Sequence, residues 1–121
     1  MNLRRTIIFA KDMKRMTSFY RDALALQFLP DRSNEQWSEF QAGGVLLALH
    51  AIPAEIARDI QISGTPTPRS GAAVKLVFEV ADLEVARLHL IAHGAVMSQA
   101  RDWGACDGVD PEGNVFQIVK S

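Results

Sequence analysis

The residues able to do chemistry are few, and they are spread along the chain. Gln117 lies within Val115-Phe116-Gln117-Ile118-Val119, where strand alternation sets one amide among apolar neighbours. The segment before it, Asp110-Pro111-Glu112-Gly113-Asn114, reads as a tight turn, because proline pre-sets φ and Gly113 and Asn114 tolerate left-handed backbone. A polar group on a strand that starts from a rigid turn suits a small-molecule site. His50 is the best acid–base candidate, since imidazole titrates near neutrality, and Glu39 is the second candidate proton carrier. His89 and His93 have the i, i+4 spacing of a metal pair. No glutamate follows His89 in the zinc-protease pattern, and a histidine near a helix C-terminus is favoured by the dipole alone. An exposed helix flank is therefore expected there. Cys106 is the single cysteine and has no histidine near it in sequence, so a small packed residue is expected rather than a nucleophile.

Two half-chains with the same grammar must position these groups. Arg5-Thr6-Ile7-Ile8-Phe9-Ala10-Lys11-Asp12 is an apolar strand ending in a helix-capping aspartate, and Lys75-Leu76-Val77-Phe78-Glu79-Val80-Ala81-Asp82 repeats it. Apolar residues then follow at helical spacing: Met13, Met16, Tyr20 and Leu24 in the first half; Leu83, Ala86, Leu90 and Ile91 in the second. Asp12 and Asp82 suit N-caps, accepting from free N–H groups at the positive end of the dipole. Gly94 suits a left-handed C′ residue, while Ala25 stands near the matching place in the first half. Strands are expected over 26–29, 37–42 and 45–51, with Gly43-Gly44 as a turn, and again over 95–98, 104–109 and 115–119. Superposing the last strands sets Leu47 against Phe116, Ala48 against Gln117 and Leu49 against Ile118. Each half thus reads β-α-β-β-β. Pro53 to Ile60 reads as a short helix with proline in its first turn, and Gln61 to Gly71 as a connector. Neither half can bury its sheet alone, so the halves pair within one chain or exchange across a dimer.

Composition bounds the rest. The chain has 121 residues, of which 48% are hydrophobic, consistent with one core or two small fused ones. A net charge of −1 shows no bias toward nucleic acid or anionic membrane. No apolar run approaches the roughly 20 residues of a membrane span. The stretch Met1 to Arg5 does not read as a signal peptide, and the lone cysteine fits a reducing cytoplasm.

These motifs resemble the vicinal-oxygen-chelate superfamily, which includes glyoxalase I, bleomycin-resistance proteins, fosfomycin-resistance enzymes and extradiol dioxygenases. The matching residues are Asp12 through Phe19-Tyr20-Arg21-Asp22-Ala23-Leu24, then Trp37-Ser38-Glu39-Phe40, Gly43-Gly44 and Asp110-Pro111-Glu112-Gly113-Asn114. Ala25 departs from the family, which usually has glycine there. The resemblance implies an α+β fold: two tandem βαβββ modules, 1–52 and 73–121, joined by a short helix and linker at 53–72. They would form a single domain over 1–121 with a curved mixed sheet around a cavity. Members commonly dimerise, so a homodimer is expected.

The resemblance also implies where a divalent metal would sit, on one residue from each of four strands. The matching positions here are Arg5, Ala48 (with His50 next along the same face), Lys75 and Gln117. Guanidinium and ammonium are cationic and offer no lone pair to a metal, so no metal cofactor is expected. Strand parity sets Arg5, Ile7 and Phe9, then Trp37, Glu39 and Gln41, then Leu46, Ala48 and His50, then Lys75, Val77 and Glu79 on the face away from the helices. Trp103, just before a strand, is placed at its mouth. Aromatic and aliphatic walls with a few charges suit a small-molecule pocket. The ligand-binding candidates are thus Arg5, Phe9, Trp37, Glu39, Ala48, His50, Lys75, Glu79, Trp103 and Gln117. Arg5 and Lys75 could hold an anion, or Glu39 and Glu79 could neutralise them in an internal network. The leading expectation is a metal-free protein that sequesters or senses a small aromatic or anionic molecule. The alternative is a lyase or dioxygenase-type enzyme with a rearranged or metal-free site.

Overall fold

A computed structural model describes residues 1–121. The chain divides into two units, Met1–Gln61 and Ile62–Ser121. The first holds β1 (Arg5–Ala10), α1 (Met13–Ser18), β2 (Gln27–Phe28), β3 (Trp37–Ala42), β4 (Val45–Ala51) and α2 (Ala54–Ala57). The second holds β5 (Leu76–Val80), α3 (Leu83–Ala92), β6 (Val96–Met97), β7 (Ala105–Val109) and β8 (Val115–Lys120). Each unit builds its own four-stranded sheet, in the orders β1-β4-β3-β2 and β5-β8-β7-β6. In both, the first and last strands of the module pair in parallel and the remaining neighbours are antiparallel. The duplicated grammar of the sequence is therefore a duplicated topology.

Local signals act as the residue types require. The Asp12 carboxylate accepts from Arg15 N at 3.0 Å, and the Asp82 carboxylate accepts from Val85 N at 3.0 Å. Gly94 leaves α3 with φ of 99°, the left-handed exit that glycine permits. Ala25 makes the same exit at φ 55° and is the one non-glycine residue with positive φ. The first helix departs from a single regular α-helix. After six residues it widens into a π-helical turn over Phe19–Ala23, where Leu24 N donates to Phe19 O at 3.2 Å. The wider turn lets the consecutive Phe19 and Tyr20 both be buried. The helix expected over 53–60 is shorter, with Pro53 as the residue ahead of Ala54–Ala57.

Side-chain alternation then defines two faces in each unit. In the first, Phe40, Leu47 and Leu49 are buried with Met16, Phe19 and Tyr20. The Tyr20 and Phe40 rings lie 6.4 Å apart, and Thr17 Oγ1 meets Ser38 Oγ at 2.8 Å. The helix thus covers the even-numbered side of β3, leaving Trp37, Glu39 and Gln41 on the other. In the second unit Phe78 packs edge-on to Phe116 at 6.2 Å. Gly108 shares that packed side, for a Cβ there would lie 2.5 Å from Met97 Sδ and 2.6 Å from Phe116 Cζ. Cys106 is likewise buried, with Sγ 2.9 Å from Ser98 O, as expected of a packed thiol.

The connector is more than a spacer. Arg69 N donates to Gly113 O and Arg69 Nε to Glu112 O, each at 3.0 Å. Asp110, fully buried, organises the same turn by accepting from Glu112 N at 2.9 Å and Asn114 N at 3.0 Å. Gly113 has φ of 93°, and a Cβ on it would lie 2.5 Å from Thr67 O. Of the two turn residues expected to tolerate left-handed backbone, Gly113 alone uses it.

Candidate functional site

On the face of the first sheet away from α1, Arg5 reaches across β4 to Glu39 on β3. Arg5 Nε donates to Glu39 Oε1 at 3.0 Å. Neighbouring strands lie about 4.8 Å apart, so the guanidinium spans an intervening strand. The residue on that strand opposite both Ile7 and Glu39 is Ala48, whose methyl leaves the path open. Trp37 Nε1 also donates to Glu39 Oε1 at 3.3 Å, and the Arg5 Cζ lies 5.6 Å from the Trp37 ring centroid, within cation–π range. Arg32, on the 3₁₀ turn Pro30–Arg32, sets Nε 3.1 Å from Glu39 Oε2. That turn is tied down by Ser33, whose Oγ donates to Leu29 O at 2.8 Å and accepts from Glu39 N at 3.0 Å. His50 stands opposite both Phe9 and Trp37 in register, its ring 5.7 Å from the first and 5.4 Å from the second.

The second unit repeats this plan with other residues. Asp107 pairs with Gln117 as Glu39 pairs with Ala48. Lys75 Nζ lies 3.1 Å from Asp107 Oδ1, Gln117 Nε2 donates to the same oxygen at 3.0 Å, and Arg101 Nη2 lies 2.6 Å from Oδ2. Ser98 Oγ accepts from Asp107 N at 3.0 Å, the part Ser33 plays for Glu39. The Arg101 hydrogen bond, with smaller contributions from Gln117 and Lys75, holds the Asp107 carboxyl down to about 2. Each unit therefore carries one carboxylate between two cations, one from the start of its first strand and one from the loop before its third.

The expected site residues fall into these two groups. Arg5, Phe9, Trp37, Glu39, Ala48 and His50 come together on the first sheet, and Lys75 and Gln117 on the second. Glu79, one of the two residues offered as internal partners for the cations, does not meet Lys75: it lies exposed on β5 opposite Val119, and Asp107 takes the ammonium instead. Lys75 precedes β5 and points toward β7, whereas Glu79 sits a full strand-length along. Trp103 stays 68% exposed in the turn before β7. His89 and His93 lie exposed at the C-terminal end of α3, their rings tilted 42° to one another with centroids 4.2 Å apart. Arg32, Ser33, Ser98, Arg101 and Asp107 escaped the sequence reading. Carrying the Ala48–Gln117 superposition back by one strand would have matched Glu39 with Asp107.

The four positions that would ligate a divalent metal hold a paired guanidinium, a methyl, a paired ammonium and an amide whose N–H₂ is directed at a carboxylate. This donor set does not fit a divalent cation. No group of three or more His, Cys, Asp or Glu residues is arranged to hold a metal elsewhere. No helix is long and apolar enough to cross a membrane.

A model of the glyoxalase-like domain matches residues 5–119. Among solved structures, the chain is similar to a glyoxalase/bleomycin resistance protein/dioxygenase family enzyme from Burkholderia phytofirmans, at 21% identity and TM-score 0.78, covering 99% of this chain and 98% of that one. It is similar to a lactoylglutathione lyase from Agrobacterium tumefaciens, at 20% identity and TM-score 0.64 over 99% and 93% of the two chains. The fosfomycin resistance protein FosX from Mesorhizobium loti matches at 13% identity and TM-score 0.70 over 98% and 90%. At such identities the likeness shows the fold. A search of curated proteins returns no match.

Proposed function

Because the chain belongs to the glyoxalase-like domain family, within the vicinal-oxygen-chelate superfamily, we propose that it is a small-molecule-binding member that works without the family's metal. In this reading it sequesters or senses a small aromatic or anionic ligand. The observation that carries it is the double replacement of metal-ligand positions by ion-paired cations, Arg5 with Glu39 and Lys75 with Asp107. In the first cluster Arg5 and Arg32 face the single carboxylate of Glu39, a net charge of +1 that favours an anion. The exposed rings of Phe9 and His50 beside half-buried Trp37 supply aromatic surface. A homodimer belongs to the reading, since Ile7, Phe9 and Val77 leave apolar sheet surface uncovered, at 44%, 56% and 54% exposure.

The test is a thermal-shift and calorimetric screen of aromatic and anionic compounds, with elemental analysis of untagged protein. Saturable binding by metal-free protein supports the reading. Stoichiometric Ni, Zn, Mn or Fe that disappears in a His50→Ala, Gln117→Ala double variant would overturn it in favour of a lyase or dioxygenase-type enzyme. A metal-free enzyme is the second reading. It is favoured by the place of His50, exposed and opposite Trp37, with Glu39 two residues further along β3, where a base and a cation could act on one substrate.

A further inference from the structure

The two carboxylate clusters share positions but differ in how completely they are satisfied. Asp107 has directed hydrogen bonds on both oxygens, from Lys75 and Gln117 on Oδ1 and from Arg101 on Oδ2. Glu39 is 2% exposed, and its Oε1 takes two hydrogen bonds while its buried Oε2 takes none. The Arg32 guanidinium sits 3.1 Å from Oε2, so it neutralises that oxygen without aiming an N–H at it. A buried acceptor without a hydrogen bond is costly. The ion-pair partner of that oxygen, Arg32, has a side chain 48% exposed to solvent.

We propose that Arg32 is an exchangeable cover on Glu39, and that the pair selects a planar aromatic monoanion carrying an O–H or N–H donor on its ring. The inference rests on the metal-free binding reading and names its ligand class. The ligand displaces Arg32 and donates its ring O–H or N–H to Glu39 Oε2. The released Arg32 takes the ligand's anionic group, and Phe9, Trp37 and His50 pack on the ring. Charge decides between ligand types. With Arg5 and Arg32 on one carboxylate the cluster is already cationic, so an amidine or ammonium on the ring is repelled. An anion without a donor pairs with Arg32 but leaves Oε2 bare. The Asp107 cluster has no open acceptor and is a closed charge lock.

The experiment is calorimetry with benzoate, its three hydroxy isomers and benzamidine, on the wild-type chain and on Arg32→Gln and Asp107→Asn. At least one hydroxybenzoate is expected to bind about 10-fold or more tightly than benzoate, the worth of a hydrogen bond to a charged acceptor. Benzamidine is expected not to bind. Arg32→Gln, at an exposed position, should weaken benzoate and hydroxybenzoate alike by about 10-fold and keep the hydroxyl preference. Asp107→Asn should leave that preference unchanged. Equal binding of benzoate and every hydroxy isomer would overturn this inference and leave the broader binding reading standing. Loss of the preference in Asp107→Asn, or benzamidine binding more tightly than benzoate, would overturn it too. No binding of any probe would overturn this inference, while the broader reading falls only with the wider compound screen.

Discussion

Arg5 and Glu39 are joined across a strand that neither belongs to. Arg5 Nε meets Glu39 Oε1 at 3.0 Å from β1 to β3, with β4 between them. The same crossing recurs from Lys75 to Asp107 over Gln117. Where the first unit has Ala48 and an open path, the second has an amide that joins the cluster. The two halves thus solve one problem, holding a cation from the start of the module's first strand, with different residues.

The pair should respond asymmetrically to truncation. Glu39 has 3% of its side chain exposed and Arg5 has 27%, so Arg5 can hydrate when left alone and Glu39 cannot. Arg5→Met is expected to cost about 2–3 kcal/mol and Glu39→Gln about 1–2 kcal/mol, with the double variant less destabilised than their sum. Urea unfolding of the four proteins checks this. A Glu39→Gln cost equal to or above that of Arg5→Met would contradict it.

Acid should weaken the second unit through Asp107. Its folded pKa, held down to about 2 mainly by Arg101, lies below the unfolded value of about 3.9. Its contribution is therefore present above about pH 4 and lost as pH falls toward 2. The side chains of Arg101 and Lys75 are 54% and 45% exposed, so solvent screening limits the contribution to about 1 kcal/mol. The measurement is the difference in urea stability between wild type and Asp107→Asn at pH 6 and at pH 2.5. That gap should narrow by more than half at the lower pH.

Ala25 is expected to be a site of easy stabilisation. An L-residue at φ 55° carries about 1–2 kcal/mol of left-handed strain, partly offset by the smaller entropy it loses on folding. Ala25→Gly should raise stability by about 0.5–1 kcal/mol, read from the denaturation midpoint. A lower midpoint would show that the turn is not under strain.

Gly113 should be among the least replaceable residues. Besides left-handed strain, a methyl there would meet the Thr67 carbonyl at 2.5 Å and push Arg69 off the turn. Gly113→Ala is expected to cost at least about 2 kcal/mol, whereas Gly44→Ala, with nothing within 4 Å and no positive φ, should cost little. Thermal unfolding of the two variants makes the comparison.

The amino-acid sequence by itself determined the repeated βαβββ order, the caps at Asp12 and Asp82, the left-handed exit at Gly94 and the faces on which Arg5, Glu39, Ala48, Lys75 and Gln117 lie. These follow from local rules, since alternation, capping and glycine freedom act within a few residues. Tertiary structure alone decided which charges meet. Strand order brings β3 beside β4 and β7 beside β8, which sets Asp107, rather than Glu79, under Lys75. It also folds the loops bearing Arg32 and Arg101 back over their carboxylates. The clamp of Arg69 on the Asp110–Asn114 turn was equally hidden, because a contact spanning 43 residues leaves no periodicity in the chain. Pairing between distant groups depends on side-chain reach and on what the intervening strand leaves room for. Ala48 and Gln117 answer that differently in the two halves.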